Sequence, residues 1–219
     1  VILAFVGPSL LPDGMSNNAK ATFRPPSWSH PFGTDWLGRE QLTRVAIGLR
    51  ITLLIAAGSL VIPIVVGVPL GILAGYRGGW VDAALMRSVD VLFAFPALLL
   101  AMMVVAILGP GMFNVMIAIG VLYLPHLARV ARGPVLTVRT EDFVTASRCA
   151  GTSELRVIWR HILPNALPAI LVQTALVLSA AILTEATLSF LGLGAQPPTP
   201  TLGGMITASR THMRRAPWL

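Results

Sequence analysis

The 219 residues are 55% hydrophobic and 11% charged, with a mean hydropathy of +0.77. Soluble domains carry about 25% charged residues, so the composition excludes an ordinary soluble domain and points to an all-α polytopic membrane protein. The net charge of +7 lies in polar segments beside apolar runs, where attraction to membrane lipid accounts for it; with no basic stripe interleaved with aromatics, nucleic acid is not expected as a partner.

Residues 1–12 are apolar but too short to cross a bilayer, and they lack the basic start of a signal peptide. They are expected to be the tail of a first span. Residues 13–50 form a polar connection containing HPFGTDWLGRE at 30–40, whose Gly-Thr-Asp and Leu-Gly-Arg pieces predict turns before an amphipathic lead-in. Charge then vanishes over residues 51–76, 91–128 and 162–184. A hydrocarbon core of about 30 Å needs roughly 20 helical residues. The outer two runs therefore hold one span each, and Gly109-Pro110-Gly111 divides the middle run into two.

Spans are expected over residues 51–75, 91–108, 113–128 and 167–191, with a short polar loop at 76–90. Residues 192–219 read as a connection before a missing last span. In the first of these spans Gly58, Gly67, Gly71 and Gly75 recur at small-residue spacing, which predicts close approach to another helix. Pro63 and Pro69 are tolerated there if neighbours satisfy the freed carbonyls. Alternating the spans leaves eight Lys/Arg on each side, so basic residues alone do not orient the chain.

The most polar block, EDFVTASRCAGTSELRVIWRHILPNALP at 141–168, lies between two of these runs. Thr140 can cap a helix whose first turn carries Glu141 and Asp142, where the helix dipole favours acids. Phe143, Ala146 and Ala150 share a face, and Gly151 suits the helix end. Thr152 or Ser153 can cap a second helix with Leu155, Ile158 or Trp159, and Ile162 as its apolar stripe, closed by Leu163-Pro164. The pattern predicts two short helices at the membrane surface. On pattern alone, an ordinary amphipathic interfacial loop is the favoured reading.

Gly151, nine intervening residues and then His161-Ile162-Leu163-Pro164 resemble the EAA motif of binding-protein-dependent ABC transporter permeases. HPFGTDWLGRE at 30–40, HILPNALP at 161–168 and LTEATLSFLGLG at 183–194 are similar to the dipeptide/oligopeptide/nickel branch, in its C-type permease subunit. The resemblance implies a type I ABC importer permease fold of six spans, of which this chain holds about four and part of the first. It also implies that residues 139–166 form a cytoplasmic coupling loop, with Glu141, Asp142, Thr145, Ala146, Ser147, Gly151, His161, Leu163 and Pro164 meeting an ATPase.

Thr145, Ala146 and Ser147 stand where the family usually has Glu-Ala-Ala, so Glu141 or Asp142 would have to supply any acidic contact. His161 replaces a usual isoleucine, and Glu40 stands where Asp is common. Residues 13–50 and 192–219 would then face outward, with Gly33, Thr34, Asp35, Gly38 and Arg39 available to a binding protein. The implied partners are a second homologous permease, two ABC ATPase subunits that hold ATP and Mg, and an extracellular or periplasmic substrate-binding protein. The implied place is the plasma (inner) membrane of a prokaryote.

Glu185 is the only formal charge in an expected span. Because such an acid is costly in lipid, it reads as a pathway group, a lock between permease subunits, or a structural hydrogen bond. The four histidines are scattered without HExxH or a cysteine pair, so no metal site is expected, and Cys149 is alone. Lys20 is the only lysine, in Asn-Ala-Lys-Ala, and no P-loop or GxSxG is present. The chain is thus expected to carry no cofactor and to be no enzyme. A peptide importer is the first functional reading; nickel or another small solute, an ion-coupled secondary transporter using Glu185, and a membrane scaffold are the alternatives.

Overall fold

The computed structural model describes Phe5 and residues 14–219, so the first-span tail expected at 1–12 lies outside the described residues apart from Phe5. Helices dominate: α1 (Gln41–Arg77), α2 (Gly79–Phe93), α3 (Ala97–Leu108), α4 (Met112–Val138), α5 (Asp142–Cys149), α6 (Glu154–Phe190) and α7 (Leu202–Ser209). Among the described residues there is no strand, only an isolated bridge between Thr34 and Glu40. By length and composition α1, α4 and α6 can each cross a membrane, and α2 with α3 makes a fourth crossing if that bent pair counts as one.

The chain packs as two compact units, one of residues 1–58, 104–116 and 182–219, the other of residues 59–103 and 117–181. In the second unit the glycine spacing becomes a ladder. A Cβ on Gly67 would come within 2.8 Å of Leu124 O, and one on Gly75 within 2.9 Å of Arg132 O, while Gly71 lies against Ala128 O. Both series ascend in fours, so α1 and α4 run in the same direction with their backbones in contact. The side chains beside this seam close a core that includes Ile72, Tyr76, Leu127, Val135, Val144, Val157, Ile162 and Ile170. Outward, α6 presents Leu171, Val172 and Leu176, as a helix in lipid or against another subunit must.

Three local expectations are corrected. The polar loop expected at 76–90 is mostly helix α2, turned back at Gly78 and Gly79, both at positive φ. Its charges are spent on α4: Asp82 accepts from Arg132 Nε and Nη2, each at 2.6 Å, and Asp90 accepts from Arg129 Nη2 at 2.6 Å. The span expected at 91–108 is broken by 87° between α2 and α3. Pro96 sits in that break, where it supplies no N–H and pushes the preceding residue out of the helical region.

Leu163-Pro164 does not close the second polar helix, because α6 runs through it without interruption. A π-turn, Ile158–Ile162, precedes it, with Leu163 N–H donating to Ile158 O. The wide turn gives the Pro164 ring room against the preceding carbonyls, and Asn165 Nδ2 donates to His161 O at 2.7 Å. The same device recurs in α1, where the π-turn Pro63–Gly67 precedes Val68-Pro69.

In the first unit α7 docks by its own glycine. Gly203 lies against Ala186 O and Phe190 N of α6, and Thr207 Oγ1 donates to Phe190 O at 2.6 Å. Gly48 of α1 approaches the Thr201 and Leu202 backbone at 3.4–3.5 Å.

The ladder makes a direct prediction. Replacing Gly71 with leucine forces α1 from α4 and should cost about 1–3 kcal/mol or more, whereas Gly133→Ala, which meets nothing within 4 Å, should be neutral. Thermal unfolding of the detergent-solubilised protein checks this; equal melting of the two variants would refute the ladder.

Candidate functional site

The polar block forms a short helix held on the core by one buried side chain. Val144 of α5 is fully buried and joins Val157 and Ile162 of α6 beneath it. Around that anchor Glu141, Asp142, Thr145, Ala146, Gly151 and Pro164 are exposed, and Ser147, His161 and Leu163 are half-buried. None of the candidate coupling residues is buried. Arg148 lies over the Tyr76 ring at 5.0 Å, and Phe143 meets His161 at 5.9 Å, so the surface is braced at both ends. Arg139 Nη1 donates to Gly75 O at 2.8 Å, satisfying a carbonyl near the end of α1.

Gly151 ends α5 as its sequence suggests. At φ +77° it donates its N–H to Arg148 O at 2.9 Å, and Thr152 N–H reaches Ser147 O at 3.2 Å, the double bond of a Schellman cap. The cap expected of Thr140 is not formed. Glu141 takes the N-cap position without a side-chain bond, and Thr140 Oγ1 donates backward to Thr137 O at 2.8 Å. Ser153 likewise precedes α6 without a side-chain bond. The apolar stripe is also different: Val157 and Ile162 face the core, while Leu155 and Trp159 are 72% and 69% exposed.

The motif at 30–40 is a self-contained network. Gly33 and Gly38 adopt φ +69° and +73°, and Gly38 N–H donates to Asp35 O at 3.0 Å, confirming the two turns. Asp35 Oδ1 accepts from Leu37 N and Arg39 N, both at 2.9 Å, and Oδ2 from Arg39 Nε at 2.7 Å. Thr34 Oγ1 donates to Ala21 O, and His30 Nδ1 pairs with Glu40 Oε2 at 2.6 Å. Thr34, Asp35 and Arg39 are buried, so none of them stands out on the loop surface as the expected docking group. They set the loop's shape. Trp28, Phe32 and Leu37 are exposed large apolar groups of this loop, a feature that turn spacing alone does not reveal.

Glu185 is completely buried within the first unit, where its Oε1 accepts from Ser189 Oγ at 2.6 Å. The hydrogen bond to Ser189 is the contact the structural reading expects. Among the described residues no group of three or more His, Cys, Asp and Glu side chains is assembled for a metal.

Residues 67–215, which include all the candidate coupling residues and Glu185, match the family described as binding-protein-dependent transport system inner membrane component. The chain belongs to that family. It is 45% identical over 201 residues to a di/tripeptide transport system permease of Pseudomonas aeruginosa, covering 89% of this chain and 66% of the relative. It is 40% identical over 219 residues to a dipeptide transport system permease of Alkalihalophilus pseudofirmus, covering 100% and 72%. A glutathione transport system permease of Pectobacterium atrosepticum is 43% identical over 192 residues, covering 88% and 64%. The chain therefore spans about two thirds of the length of these relatives. The helical, apolar architecture agrees with an inner-membrane component of the type I importer permease fold.

The buried carboxyl yields a test. Glu185→Ala leaves the Ser189 hydroxyl without its acceptor and should lower stability by about 1–3 kcal/mol. Glu185→Gln keeps an acceptor and should lose less. Apparent melting temperatures of the two variants decide it, and a Glu185→Ala protein as stable as wild type would remove the structural role.

Proposed function

We propose that this chain is the membrane-spanning permease subunit of an ATP-driven importer of dipeptides or oligopeptides. The observation that carries the reading is the polar surface of α5, seated through Val144 on the same core that holds α1, α4 and α6. A soluble motor that shifts α5 displaces Val157 and Ile162 with it, because close-packed interiors transmit strain instead of absorbing it. Family membership and the names of the peptide-transporting relatives support the same assignment.

In this reading residues 139–166 face the cytoplasm, and residues 13–50 and 192–219 face outward. Two ATPase subunits hold ATP and Mg, and one of them receives Glu141, Asp142, Thr145 and Ala146 in a groove. A second permease subunit completes the pathway, and an external binding protein delivers the peptide. Closure of the ATPases rocks the spans between inward- and outward-open states, alternating access driven through a packed lever. The bend at Pro96 and the two π-turns are the positions where the helices can flex. The relative named for glutathione transport supports short peptides as the cargo class. It offers no support for nickel.

The decisive experiment uses the complete complex in proteoliposomes, with binding protein outside and ATP inside. Labelled dipeptide should accumulate with ATP and persist when ion gradients are collapsed. Gly151→Val forces a branched residue to φ +77°, a strain of roughly 1–2 kcal/mol at the end of α5. ATP hydrolysis should continue in that variant while uptake falls about tenfold or more. Uptake that survives ATP removal but not gradient collapse would assign the chain to ion-coupled transport instead.

A further inference from the structure

In the first unit a cavity of about 370 Å³ opens between the 35–44 segment and the 189–209 segment. Its walls are largely apolar, with Trp36, Leu37, Pro197, Pro198, Met205 and Ala208 among them. Two guanidinium groups, Arg39 and Arg44, line it against a single carboxylate, Asp35. That carboxylate is chiefly engaged elsewhere: three donors from Leu37 and Arg39 reach its two oxygens at 2.7–2.9 Å. Arg39 is further held over the Trp36 ring at 5.6 Å.

Arg44 is left over. It is 7% exposed, its Nε stands 3.8 Å from Asp35 Oδ2, and its buried Nη1 has no hydrogen-bond partner among the described residues. A buried guanidinium without a full complement of acceptors is strongly disfavoured, and the disfavour is relieved by an anion at the open donor. The planar fork of arginine matches a carboxylate in particular. The apolar walls add a second requirement, for a ligand with a small hydrophobic body beside its charge.

We propose that this cavity binds an organic carboxylate carrying a small apolar group, with Arg44 as the charge partner. Two sources present that chemistry on the side the functional reading turns outward: the C-terminus of a free short peptide, and an Asp or Glu side chain offered by the docked binding protein. Only the choice of sources rests on that reading; the carboxylate chemistry rests on the cavity. Binding is measured without turnover, so its failure and a failure of transport are separate results.

The test uses the full-length subunit assembled with its permease and ATPase partners in lipid nanodiscs. Labelled dialanine and its C-terminal amide are compared by equilibrium dialysis, and docking of the purified binding protein is followed in parallel. Arg44→Gln removes the charge, and Ala195→Leu fills the cavity while leaving Arg44 in place, so a folding failure of the first variant does not end the test. If the source is a free peptide, dialanine binds at least about tenfold more tightly than its amide, and each variant weakens it by about tenfold or more. If the source is a side chain, dialanine does not bind and both variants weaken binding-protein docking by a similar factor. Equal affinity for dialanine and its amide overturns the proposal, as does ligand binding or docking that neither variant changes.

Discussion

The packing of α1 on α4 depends on the absence of side chains at Gly67, Gly71 and Gly75. Within a membrane there is little hydrophobic gain from helix–helix contact, so association rests on close van der Waals fit. The three glycines allow the α1 backbone to lie on the carbonyls of Leu124, Ala128 and Arg132. Everything else in that unit is registered from this seam. Arg132 is thereby set beside Asp82 of the returning helix, and Arg139 is set at the end of α1. Because the two helices are parallel, the chain between them must reverse, and the bent α2–α3 pair is how it does so.

The polar surface inherits its precision from the same seam. α5 is only eight residues long, too short to be stable in isolation. It persists because Val144 enters a core already built by the long helices, and because Gly151 and Thr152 close its last carbonyls. Exposed charges nearby contribute little to holding it; the pair Arg77–Glu154, between α1 and α6 at 3.6 Å, is largely solvated and worth at most about 1 kcal/mol. A short element with a buried base and a polar face is suited to being gripped without melting.

Much of this was legible in the chain. The apolar runs, the Gly109-Pro110-Gly111 turn, the small-residue spacing in α1, the Gly151 helix end and the turns at Gly33 and Gly38 all follow from local rules that the fold respects. The misreadings share a cause, which is that tertiary partners override local signals. Asp82, Asp90 and their neighbours look like a solvated loop until Arg129 and Arg132 are brought to them from about 40–50 residues away. Asp35 and Arg39 look like an exposed charged turn, yet they satisfy one another and the loop backbone. Leu163-Pro164 looks like a helix stop, and would be one without the wide turn ahead of it. The cavity beside Arg44 had no sequence signal, since its two walls are about 150 residues apart.

The π-turns have an effect on azimuth. Each adds one residue to a helix that turns about 100° per residue, so the face presented beyond the insertion is rotated by roughly that amount from the face before it. Leu155 and Ile162 fall on one stripe of a regular wheel, but the turn at 158–162 swings Ile162 inward while Leu155 stays outside. A single continuous helix can therefore offer a different flank on either side of the insertion.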